Sequence, residues 1–392
     1  MPIAAACSQT IESDQALDAV CRETAEQLGG AAPDLTLLFV SRSHDEQFAR
    51  IVAEAARLTR SRHTLACTAE SIVAGDREIE QAPALSLWSA VLPGAELDSF
   101  HVQFERTPDG PVCSGFPEPA ADPSQVNAVF LLADPFSCAM DAFRDRMADE
   151  FPGVPLLGGM SSGGTGPGEY KLGWNGRQLQ SGAIGVTVRG GPRIESIVSQ
   201  GCRPIGSTFL VTKAEANVVL ELGGRPALAR LEETYAALPE EDRRLIRQGL
   251  HLGMVIDEYK PAFARGDFLI ANVLGADRES GAIALGNLVR VGQTVQFHVR
   301  DAATADEDLR HLVSDQMASR QSPPGGALLF TCNGRGTRMF PKPHHDAGVL
   351  SELCGPIPVA GFFAQGELGP IGGRNYMHGF TACIALFDGE SQ

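Results

Sequence analysis

Apolar residues in this chain fall into blocks whose periods change along the sequence. Residues 12–29 show helical spacing, with Ser13 as candidate N-cap and Gly29–Gly30 as the stop. LTLLFVS (35–41) is a short unbroken apolar run, the pattern of a buried strand. A helical stretch over about 45–60 follows, and then a strand, HTLAC, leading into TAES. The order recurs. VNAVFLLAD (126–134) reads as a strand, Met140, Phe143, Met147 and Phe151 as one face of a helix, VPLLGG as the entry to a loop SSGGTGPG, and GAIGVTVRG (182–190) as a strand. It recurs again in GALLFTCNG (326–334), a helix over about 345–353, IPVAGFFAQGELGP (357–370) and a closing strand HGFTACIALF (378–387). From the end of each first strand to its small-residue loop is roughly 25 residues, the length of a βαβ crossover.

A different region separates the second and third blocks. VTKAEANVVLELGGRPALARLEETYAAL (211–238) predicts a hairpin at Gly223–Gly224 and then a helix. Residues 267–301 read as a β-meander with turns at Asp277, Gly286 and Gly292, followed by a helix carrying Leu309, Leu312 and Val313 and a breaker SPPGG (322–326). The charged LPEEDRRLIRQG places a boundary near residue 240. The expected organisation is a lead-in helix (1–33) and two domains (34–240 and 241–387). The fold class is α/β or α+β, with repeated strand–helix–strand units forming mixed sheets covered by helices.

Both parallel strands of a right-handed βαβ unit end at one sheet edge. In the third block that edge gathers Asn333, Arg335, Gln365 and Glu367, with His378 opening the antiparallel return strand. Arg335 offers a planar fork for a carboxylate and Glu367 a partner for an ammonium. The alternative is a set of structural turns with an internal Arg–Glu pair. Glu70 and Glu80, flanking SIVAGDREI, are either loop chemistry in the first block or surface charge. Cys202, beside Arg203 in SQGCRPIG, is either an activated nucleophile or a small packed residue. GMSSG (159–163) has the spacing of a nucleophile elbow, but the following GGTGPGEY cannot start the helix that an elbow needs. There is no P-loop lysine. In His344–His345–Asp346, neighbours on a helix point about 100° apart and no partner spacing completes a metal set, so a loop or helix start is the reading.

Composition narrows the partners. The net charge is −16, from 32 Lys+Arg against 48 Asp+Glu, with no basic run to neutralise phosphates. Nucleic acid and anionic membranes are therefore not expected partners. Nine cysteines, none in a CxxC pair, point to a reducing compartment and to no zinc knuckle. The N-terminus lacks a signal-peptide pattern, and no apolar run approaches the ~20 residues of a membrane span. A cytoplasmic protein without cofactor or metal is the expectation.

CTAESIVAGDREIEQAPALSLW, VPLLGGMSSGG and SQGCRPIG with VTKAEANVVLELGGRPAL resemble the FIST N-terminal domain. CNGRG, PVAGFFAQGELGP and NYMHGFTACIALF resemble the FIST C-terminal domain, and the likeness spans roughly 34–387. The resemblance implies a sensory, signal-transducing input module that binds small ligands such as amino acids. It marks Cys202, Arg203, Asn333, Arg335, Gly361, Glu367, Gly369 and His378 as motif positions without assigning roles. Fused members carry an output domain, for which the segments flanking 34–387 leave no room, so a separate signalling partner is expected. The leading reading is a stand-alone sensor of a zwitterionic metabolite, with Asn333, Arg335, Gln365, Glu367, His378, Cys202 and Arg203 as ligand-binding candidates. Two alternatives stand beside it: an enzyme with Cys202 as nucleophile, and an interaction module without a small ligand.

Overall fold

The computed structural model describes residues 1–108, 110–118, 122–263 and 266–389. The chain forms two compact units, Met1–Val198 with Leu309–Gln392, and Ser199–Asp308. The boundary expected near residue 240 falls inside the second unit, between the helices Ala227–Ala237 and Glu240–Gln248.

The first unit holds the three repeats, each built around a parallel pair of strands. These pairs are Leu35–Ser41 with His63–Ala69, Val126–Ala133 with Leu156–Met160, and Pro324–Cys332 with Val359–Ala364. A helix crosses over within each pair: Phe48–Thr59, Met140–Glu150 and His345–Cys354. A closing strand returns antiparallel beside the first strand of each pair: Leu85–Ala90, Ala183–Gly190 and Ala382–Asp388. One more strand then pairs with each closing strand at the far side: Ile3–Ser8, Ala95–Thr107 and Ile194–Ser199. Hydrophobic periodicity anticipated this plan.

It did not anticipate the hairpin that each repeat carries between its second parallel strand and its closing strand. Each hairpin leaves its own sheet and extends another. The hairpin Ser71–Ala74/Arg77–Glu80 of the first repeat adds to the third sheet against Val359–Ala364. The hairpin Leu172–Trp174/Arg177–Leu179 of the second adds to the first sheet against His63–Ala69. The hairpin Glu367–Ile371/Arg374–His378 of the third adds to the second sheet against Leu156–Met160. His378 is thus the last residue of a hairpin strand, and the closing strand expected to begin there starts at Ala382.

The inner faces of the three sheets share one core. Phe39 stacks on Phe362 at 5.2 Å, Phe130 on Phe387 at 5.8 Å, and Trp88 meets Phe387 at 4.8 Å. Helices cover the outer faces through separate clusters, such as Val20, Ile51 and Val52 on the first sheet and Phe143, Met147 and Phe151 on the second. The helix Ser13–Gln27 stops at Gly29–Gly30, both at positive φ. Ser13 does not cap it; its hydroxyl bonds His44 Nδ1 instead, at 2.9 Å.

The second unit is a closed antiparallel barrel. Its strands run in the order Cys202–Glu215, Thr294–Arg300, Leu250–Val255, Phe268–Asp277, Ala282–Leu285 and Val218–Leu222. The last of these pairs back onto the far half of the first. The long first strand serves two neighbours because its register shifts between Ile205 and Thr208. Closure leaves no bare sheet edge around the ring. Val211, Val219, Ile283, Val295 and Phe297 fill it, each fully buried. Among the described residues, no helix is long and apolar enough to cross a membrane.

Candidate functional site

The third repeat does gather Asn333, Arg335, Gln365, Glu367 and His378 at the end of its parallel pair. The Asn333 amide donates to Ala364 O at 3.0 Å, and Glu367 sits opposite His378 across the hairpin. The charged members face inward. Arg335 is fully buried and donates through Nε and Nη2 to the two carboxylate oxygens of Asp346, both at 2.7 Å. Asp346 also accepts from Thr331 Oγ1 at 2.6 Å and bonds His345 Nδ1 at 2.8 Å. The Phe340 ring lies 5.2 Å from the guanidinium carbon. The carboxylate expected from a ligand is therefore supplied by the chain, and the internal partner of Arg335 is Asp346, not Glu367. This pairing holds the Asp346 carboxyl below the usual carboxylate range despite burial.

Glu78, from the first repeat's hairpin, accepts the Asp346 and Ala347 amides at 2.8 and 3.0 Å and so caps the helix His345–Cys354. Burial and the nearby Asp346 carboxylate push its carboxyl up to about 7. Glu367 is also fully buried; it accepts the Thr381 amide at 3.1 Å, and burial pushes it up to about 8. His378 Nε2 donates to Gly369 O at 2.9 Å, which fixes the tautomer, and burial pushes its pKa down to about 4. Gln365 is exposed and accepts from Tyr170 Oη at 2.8 Å. Asn333 is half-buried, and its carbonyl accepts from Arg338 at 2.8 Å.

Cys202 and Arg203 belong to the second unit. Cys202 is buried, and the Arg203 guanidinium pairs with Asp242 and Asp301. The cation that made the thiol a nucleophile candidate is thus engaged by two carboxylates.

An open cleft of the first unit lies elsewhere, where the strand ends of the first repeat meet the long loop of the second. After His63–Ala69 a single residue, Glu70, leads into the hairpin, whereas after Leu156–Met160 eleven residues, 161–171, intervene. That loop lines a cleft of about 520 Å³ with Ser41, Arg42, Ser43, Glu70, Gln81, Ala82, Gly163, Gly164 and Thr165. A second hollow of about 240 Å³ shares Arg42 and Gly163 and adds Asp45, Thr68, Ser162, Glu169 and Lys171.

The local sequence explains the shape. Gly163 has φ +91°, and a Cβ there would lie 3.1 to 3.2 Å from the backbone of Ala69 and Glu70, so only glycine lets the loop rest on that strand end. The Glu169 carboxylate accepts from Thr165 N at 2.8 Å and Thr165 Oγ1 at 3.1 Å, closing the loop on itself and holding its own carboxyl low. Ser161 Oγ donates to Thr68 O at 2.7 Å. The buried Ser162 hydroxyl accepts the Glu70 amide at 2.8 Å and donates to Phe363 O, joining the strand ends of all three repeats. Arg42, largely exposed, donates to Gly163 O between the two hollows. Lys171 Nζ pairs with Asp45 at 2.9 Å, and Glu70 pairs with Arg338.

Sequence reasoning singled out Glu70 and the glycine loop but did not connect them with Ser41–Ser43. The missing signal was tertiary, since 121 positions separate Arg42 from the Gly163 carbonyl it reaches.

Residues 34–225 match the FIST N domain and residues 227–370 the FIST C domain. An uncharacterized protein of Mycobacterium tuberculosis (strain ATCC 25618 / H37Rv) is 44% identical over 362 residues, 92% of this chain and 93% of that one. An uncharacterized protein of Mycobacterium bovis (strain ATCC BAA-935 / AF2122/97) is 41% identical over 387 residues, 99% of each chain.

Proposed function

Because the chain belongs to the FIST family, whose domains serve sensory and signal-transduction roles, we propose that it senses a small zwitterion such as an amino acid in the cleft between Ser41–Ser43 and Gly163–Thr165. The observation that carries this reading is the pairing of opposite charges in one opening, with Arg42 and Glu70 both lining it. Arg42 receives the carboxylate through its fork, and Glu70 receives the ammonium. The hydroxyls of Ser41, Ser43 and Thr165 and the bare peptides of Gly163–Gly164 complete a polar lining. A volume of about 520 Å³ suits a metabolite-sized guest. The protein acts in the cytoplasm and passes its signal to a separate partner protein.

Calorimetry against the twenty amino acids tests the reading. At least one binds, and Arg42→Ala weakens it about tenfold or more, the worth of a charge-assisted hydrogen bond. Absence of binding by the wild type, or equal binding by Arg42→Ala, refutes the assignment.

A further inference from the structure

We propose that Glu70 is a shared carboxylate, contested between a ligand ammonium in the cleft and Arg338, so that occupancy of the cleft loosens the segment 336–344 at Arg338. The proposal rests on the reading of the cleft given above. Glu70 lines the cleft and is at the same time the ion-pair partner of Arg338. Its backbone is fixed, because it follows strand His63–Ala69 directly and its amide is held by Ser162 Oγ at 2.8 Å. The side that can give way is therefore Arg338.

The segment that carries Arg338 connects strand Pro324–Cys332 to helix His345–Cys354. Arg335 and Phe340 anchor it by burial. Thr337 ties it to Glu80, its amide donating at 3.0 Å and its hydroxyl at 2.6 Å. Thr337, Arg338, Pro341, Lys342 and Pro343 are all exposed, so this stretch is a strap laid on the surface. Once Glu70 turns to another cation, Arg338 keeps, among the described residues, the backbone carbonyl of Asn333. Two cations competing for one carboxylate give a coupling that is reciprocal: whatever loosens the strap must tighten the ligand equally. Its size is bounded by a partly exposed ion pair, about two- to fivefold in an equilibrium constant.

Hydrogen exchange of the full chain, read on the peptide spanning 336–344, supplies the test together with calorimetry. Glu70→Gln and Arg338→Gln each speed exchange there about two- to fivefold without any ligand. The twenty-amino-acid mixture speeds it in the wild type and adds nothing in Glu70→Gln. Arg338→Gln binds the active amino acid two to five times more tightly, because Glu70 is no longer contested. Unchanged exchange in both variants overturns the tether. Unchanged or weaker binding by Arg338→Gln overturns the competition. Faster exchange in the variants with no heat from the mixture keeps the tether and overturns the cleft reading, so the two failures are told apart.

Discussion

Asp346→Asn isolates the buried pair at the heart of the third repeat. The substitution keeps the side chain's size and removes its charge, leaving the Arg335 guanidinium fully buried without its ion-pair partner. Breaking a buried pair from one side costs about 3–5 kcal/mol, most of it the uncompensated charge. Removing both charges is different. In Arg335→Met/Asp346→Leu no ion is stranded, and the main remaining losses are the bonds from Thr331 and His345 to Asp346. At about 1 kcal/mol each these total about 2 kcal/mol, and apolar packing in place of the pair offsets part of that. The double variant is therefore more stable than Asp346→Asn by about 1–3 kcal/mol.

Urea unfolding followed by tryptophan fluorescence reads this cleanly. The chain has two tryptophans, Trp88 and Trp174, and both lie in the first unit. With a slope of about 3 kcal/mol/M, Asp346→Asn moves the midpoint down by about 1–1.7 M. A drop below about 0.3 M, or a double variant as unstable as the single one, refutes the energetic reading. Calorimetry on the double variant then separates structure from recognition. If Arg42 reads the ligand, amino-acid binding survives the loss of Arg335.

Three further outcomes are expected. Gly361→Ala puts a Cβ 1.8 Å from Leu329 O in the centre of the third sheet, and its cost of about 3 kcal/mol or more contrasts with Gly348→Ala, which meets nothing within 4 Å and gains about 0.5–1 kcal/mol in a helix. Thermal midpoints of the two variants must move in opposite directions. Glu367 binds a proton up to about pH 8 when folded but only to the ordinary carboxyl range when unfolded, so its contribution to stability falls as pH rises through that window. Glu367→Gln therefore matches the wild type near pH 4 and exceeds it at pH 8, by an amount on the order of a few kcal/mol; urea midpoints that track each other at all pH values count against this. Finally, a thiol probe followed by peptide mapping labels Cys202 more slowly than the half-buried Cys7 and Cys113. Faster labelling restores Cys202 as a nucleophile.

Long elements were legible in the sequence, and long-range partnerships were not. Leu35–Ser41, Val126–Ala133 and Pro324–Cys332 announce themselves as apolar runs because each lies between a core face and a helix-covered face. The hairpins are strands of three to five residues with weak periodicity, and their partners lie in other repeats. Arg335 and Glu367 both follow the strands of the third parallel pair, but Glu367 stands on a strand that extends the second sheet, and nothing local says that an arginine points inward. Its acid, Asp346, lies 11 positions on, at the start of a helix, where an aspartate is ordinarily a solvated residue. Arg42 carried no motif, and its place beside Gly163 follows from how the second repeat's hairpin reaches the first sheet.

That reach has a consequence for the self-sufficiency of a repeat. A chain encoding one repeat alone would own a hairpin with no sheet to extend and a sheet with an open edge. Three such chains, each lending its hairpin to another, close a ring in which every edge so exposed is filled, in the cyclic order seen in the first unit. The present chain holds that same cyclic arrangement within a single polypeptide. Along the chain the barrel stands within the third repeat alone, between Ile194–Ser199 and Pro324–Cys332, so the ring of lent hairpins tolerates a long insertion in one of its three members.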